Sequence, residues 1–132
     1  MRWLVVAAVL SGCDQGTYGP DSFIEVEAQT VSEWNGVPPD WRRIKITGDG
    51  TLVDEHEQQE ARRRQISPRR FAELVRELKQ AGFLRLSHCD SFDHGRHTTL
   101  RLSVPEGHNE IHDAPTCDAL REPIDHIFQL AD

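Results

Sequence analysis

Ile44-Lys45-Ile46-Thr47-Gly48-Asp49-Gly50-Thr51-Leu52-Val53 alternates apolar and polar residues on both sides of an Asp-Gly step, the pattern of two antiparallel strands joined by a tight turn. A two-residue turn at Asp49-Gly50 sets Ile46 opposite Val53 and Lys45 opposite Asp54, so apolar meets apolar and charge meets opposite charge. A shift by one residue sets Lys45 against Val53, a poorer match. Residues 61–66 extend this group by a third strand.

A helix follows immediately. Ser67-Pro68 supplies an N-cap and a proline for the first helical position. Phe71, Leu74, Val75 and Leu78 then recur at i, i+3, i+4 and i+7, and Gly82 marks the end. Upstream, Phe23 to Ala28 alternates, with Ile24, Val26 and Ala28 on one side and Glu25 and Glu27 on the other, as a half-buried strand does. Between them Asn35-Gly36 and Pro38-Pro39 make a loop, with Trp34 and Trp41 expected at the core edge. Downstream, Thr98 to Val104 turns Leu100, Leu102 and Val104 inward. A loop centred on Glu106-Gly107 pairs Leu102 with Ile111 and Arg101 with His112. A last helix carries Ile124, Ile127, Phe128 and Ala131, with Pro123 in its first turn and residues 118–122 as a separate turn. The order predicts an α+β domain: an antiparallel sheet of about five to six strands, built from two hairpins plus an N-terminal strand, with two helices packed on it. The two hairpin–helix units hint at an internal duplication, without a convincing repeat of residues.

The chain has 132 residues, 37% hydrophobic and 28% charged, which suits one globular domain. Its formal charge is −7, and loss of residues 1–12, with one arginine and no acid, leaves −8. Nucleic acid is therefore excluded as a global partner, because phosphate binding needs clustered positive charge. The local exception is residues 62–85, rich in arginine, which reads as a solvated face or as a contact for anionic lipid headgroups.

At the N-terminus, Arg2 precedes the apolar run Trp3 to Leu10, and small residues follow. This is the layout of an export signal, too short to cross a bilayer. Leu10-Ser11-Gly12-Cys13 resembles the lipobox of bacterial lipoproteins. That resemblance implies diacylglyceration of the Cys13 thiol, cleavage before it, and acylation of the new amino terminus, which together give stable anchoring. It implies an envelope protein facing the periplasm or exterior, with 1–12 as signal peptide, 13–22 as lipidated cysteine and tether, and 23–132 as the domain. Asp14 resembles an inner-membrane retention signal of enteric bacteria. The alternative is a cytosolic chain whose first strand is Trp3 to Leu10. Residues 44–53, the helix ending Gln80-Ala81-Gly82-Phe83, and the closing hairpin and helix are similar to a family of exported bacterial α+β domains of unknown function. This resemblance covers residues 23–130 and implies the fold and the location but no catalytic residue.

With Cys13 lipidated, Cys89 and Cys117 are an even pair, and an oxidising compartment expects them to form a disulfide. Closing a ring of about 29 residues stabilises by roughly 3–4 kcal/mol in the loop model. The competing expectation is zinc. His88, Asp90, Asp93, His94 and His97 could ligate from one loop together with Cys89, and His108 or His112, on either side of Glu110, could add a further ligand. Ser91, His94 and Asp90 have the composition of a catalytic triad, but no nucleophile elbow, metalloprotease motif or phosphate loop is present. The sequence thus expects a non-catalytic, membrane-anchored binding or accessory module, whose partners are the membrane and an envelope protein or ligand. A metal-binding lipoprotein and an unrecognised hydrolase are the alternatives.

Overall fold

The computed structural model describes residues 18–30, 40–90 and 96–132. Its strands are β1 (Phe23–Thr30), β2 (Asp40–Thr47), β3 (Thr51–His56), β4 (Arg62–Gln65), β5 (Arg96–Val104) and β6 (Gly107–His112). The two helices are α1 (Pro68–Gln80) and α2 (Asp118–Ala131). All strands join one antiparallel sheet in the order β4-β3-β2-β1-β5-β6. The fold is α+β, as the alternation of periods two and 3.6 predicts.

One face of the sheet makes the core. Ile24, Val26, Ile44, Ile46, Leu52, Leu100, Leu102 and Ile111 are buried with Phe71, Leu74, Val75 and Leu78 of α1 and Leu120, Ile124 and Ile127 of α2. Ser67 caps α1 as expected, its hydroxyl accepting from the Arg70 N–H, and Gly82 follows in the left-handed conformation at φ 81°. The opposite face carries charge: Arg101 bridges Glu25, Glu27 and Glu110, and Arg43 pairs with Glu55.

Both hairpin registers differ from expectation. In β2–β3, Ile46 faces Leu52, Lys45 faces Val53 and Ile44 faces Asp54. The loop has three residues, Gly48, Asp49 and Gly50, with Gly50 at φ 90°. Asp49 secures it by accepting from the Thr51 N–H and from the Thr47 hydroxyl. An Asp-Gly step fits this loop as well as the two-residue turn, because each needs glycine at a positive φ near its end. The register puts Leu52 inward with Ile46, and Val53 outward beside the Lys45 stem. In β5–β6 the turn is the two residues Pro105 and Glu106, so Leu100 faces Ile111, Leu102 faces Asn109 and Arg101 faces Glu110. Proline's fixed φ suits the first central position of a type I or II turn, which moves the turn back from Glu106-Gly107.

Residues 118–122 are not a separate turn: α2 begins at Asp118 and contains Pro123. Leu120 and Ile124, one helical turn apart, are both buried, and their shared burial holds the first turns helical despite the missing N–H. Finally, residues 18–22 belong to the folded body. The Tyr18 ring packs edge-on to Phe71 at 5.5 Å, its hydroxyl donates to Glu106 at 2.6 Å, and Ser22 is buried. A Cβ on Gly48 would overlap the Gly19 carbonyl, so glycine there lets this segment lie on the β2–β3 turn.

Candidate functional site

The two ends of the sheet differ. The Phe23 end carries the tight turns, the Tyr18 segment, and α1, which runs from beside Gly50 to the Lys79–Glu106 ion pair. At the Thr30–Asp40 end, α2 crosses the inner face and leaves a cleft of about 510 Å³. Pockets that hold small-molecule ligands fall within roughly 300–1,000 Å³.

Ala28 and Thr98 of the sheet form part of the cleft lining. Trp41, Ile124, Phe128 and Pro115 give it apolar walls, while Arg42, His56, Asp113, Arg121 and Asp125 bring charge or titratable groups. Arg42 is held in place from behind. Its guanidinium donates to both oxygens of Asp54 at 3.0 and 2.9 Å, donates to Asp132 at 2.9 Å, and lies over the Phe128 ring at 5.2 Å. Asp54 itself is 1% exposed and also accepts from Arg62 at 2.9 Å. Burial pushes the Asp54 carboxyl up, but the hydrogen bonds from Arg42 and Arg62 outweigh it and hold it below the usual carboxylate range. Those bonds to Asp54 and Asp132 likewise raise Arg42, so the cation is fixed at the cleft. His56 lies 3.4 Å from Asp54 on the same side.

The other rim is built by the 3₁₀ turn at Ala114–Thr116. The Thr116 hydroxyl donates to the Asp90 and Asp113 carbonyls, and Arg121 donates to the Pro115 carbonyl at 3.0 Å. Cys89 and Cys117 stand at disulfide distance with their Cα atoms 5.4 Å apart, tying the segment after α1 to the start of α2. Trp41 and Phe128 offer aromatic contact and Arg42 a fixed cation, an arrangement suited to holding a ligand by shape, aromatic contact and charge.

The expected metal loop is described only in part. His88 is exposed with its Nδ1 3.1 Å from the Ser87 hydroxyl, and Cys89 is taken by Cys117. His97 Nδ1 lies 3.0 Å from Asp113 at the cleft rim. Asp93 and His94 lie outside the described residues, as do Ser91, Trp34 and Cys13. His112 bonds to Thr99 instead, and Glu110 is engaged by Arg101. Among the described residues, the one group of three side chains with ligand atoms close enough to share a metal is Glu77, Glu122 and His126. Sequence reading missed it, although the i, i+4 spacing of Glu122 and His126 was visible. Asp54, too, reads as a surface residue until its two arginines are placed. No family model matches the chain, and no curated protein matches it.

Proposed function

We propose that this chain is a lipid-anchored module of the bacterial envelope, held to a membrane through Cys13, that binds its ligand or protein partner in the cleft at the opposite end of the sheet. The observation that carries the reading is the pairing of Cys89 with Cys117. The chain has three cysteines, so the pair leaves Cys13, the residue that completes Leu10-Ser11-Gly12-Cys13. A structural disulfide suits an exported domain.

The geometry of the two ends supports the same reading. Only residues 14–17 separate Cys13 from the docked Tyr18, a reach of at most roughly 18 Å when fully extended. The Tyr18 end therefore sits close to the bilayer, and the eight residues of β1 carry the cleft roughly 23 Å further out. With the anchor at Cys13, a cleft at that end would open to the periplasm or exterior rather than to the headgroups.

The test is expression of the full chain in a Gram-negative host fed an alkyne-bearing palmitate. The wild-type chain should take up the label, fractionate with membranes and show blocked Cys89 and Cys117 thiols. Cys13→Ser should lose the label and the membrane fraction while keeping the pair. An unlabelled cytosolic chain with free thiols would overturn the proposal.

A further inference from the structure

We infer that Glu77, Glu122 and His126 form a divalent-cation site, of zinc type by its donors, that clamps α1 to α2. Glu122 and His126 lie one helical turn apart on α2, and Glu77 reaches them from α1. One donor atom from each lies within 4.8 Å of the other two. His126 Nδ1 is 2.7 Å from Glu77 Oε1, and His126 Nε2 is 3.9 Å from Glu122 Oε1. Zinc held at about 2.0–2.2 Å by tetrahedral donors separates them by roughly 3.3–3.6 Å, and one imidazole binds through a single nitrogen, so Glu77 and Glu122 must converge on the same ring nitrogen by side-chain shifts on the order of 1 Å to complete the set.

Two further observations favour a cation. His126 Nδ1 is a buried polar atom that makes no hydrogen bond: Glu77 is near enough but out of line. A buried ring nitrogen with a close carboxylate but no directed hydrogen bond is left short of a linear partner, which a metal lone-pair bond would supply. The local charge is also unbalanced. Glu106 has Lys79, Glu55 has Arg43, and Asp54 has two arginines. Among the described residues, Glu77 and Glu122 have no arginine or lysine in ion-pair range and share one imidazole.

The donor set selects the ion. One imidazole and two carboxylates suit zinc, whereas calcium and magnesium prefer all-oxygen shells. Glu122 is 82% exposed, so solvent can supply a fourth ligand. This site is independent of the lipid anchor and of the cleft.

The measurement is zinc bound per chain by the purified full-length protein after equilibrium dialysis, together with its melting temperature with and without zinc. One equivalent and a raised melting temperature are expected. Glu122→Gln, at a position too exposed to disturb the core, and His126→Gln should each weaken binding at least about tenfold and remove the thermal shift, since loss of even an outer-sphere partner costs about 10–100-fold. His97→Gln should change neither. A protein that retains no zinc would overturn the inference. So would binding that survives both Glu122→Gln and His126→Gln, or that disappears with His97→Gln.

Discussion

Tyr18 is the chain's single tyrosine, and it reports where the folded body begins. Burial against Phe71 and the hydrogen bond to the Glu106 carboxylate both disfavour its phenolate and push its pKa up to about 12. A raised pKa means that the fold prefers the neutral phenol. Its contribution to stability is complete below the unfolded value of about 10 and is lost as pH rises through about 12. The phenolate absorbance of the native chain should accordingly titrate near 12, fall to about 10 in denaturant, and move part of the way down in Glu106→Gln. A native midpoint near 10 would place Tyr18 in solvent and lengthen the tether to the ten residues 13–22 that composition alone suggests. Composition misleads here because Asp-Gln-Gly-Thr-Tyr-Gly-Pro-Asp-Ser is polar and turn-rich. The ring edge that Phe71 offers to Tyr18 comes from a helix some fifty residues away.

The helix and the hairpins differ in how much of their geometry is local. In α1 the cap, the stripe and the stop all lie within sixteen residues, and the structure reproduces each one. A hairpin loop of two residues and one of three use the same Asp-Gly letters, and the side chains that choose between them lie on a third element. Leu52 turns inward because α1 and α2 cover that face, and Asp54 can follow it inward because Arg42 and Arg62 meet it there. At the turn itself, Gly50 has φ 90°, and a Cβ would overlap the Ile66 carbonyl that leads into α1. Gly50→Ala should destabilise the domain by at least about 2 kcal/mol, more than the left-handed penalty of about 1–2 kcal/mol alone. Urea unfolding checks this. A loss under about 0.5 kcal/mol, the size of an ordinary surface substitution, would mean that Gly50 does not hold a positive φ against the Ile66 carbonyl.

For the molecule as a whole, the Cys89–Cys117 link closes a 28-residue separation around β5 and β6 and anchors one rim of the cleft. Reducing it should lower unfolding stability by about 2–4 kcal/mol, seen as a fall in the denaturant midpoint when reductant is added. An unchanged midpoint would mean that the pair contributes nothing to holding α2. The sequence by itself determined the α+β class, the inward faces of β1, β5 and the two helices, and the capped helix. These follow from periodicity and from helix-capping residues, which act within a few residues. Only the tertiary structure decided both hairpin registers, the continuity of α2 through Pro123, the cleft and the Glu77–Glu122–His126 cluster. Each of these depends on side chains that distant segments bring together: Asp54 with Arg42 and Arg62, Leu120 with the core, and Glu77 with α2. Contacts of that kind are set by how α1 and α2 cross the sheet, and no local pattern in the chain encodes that crossing.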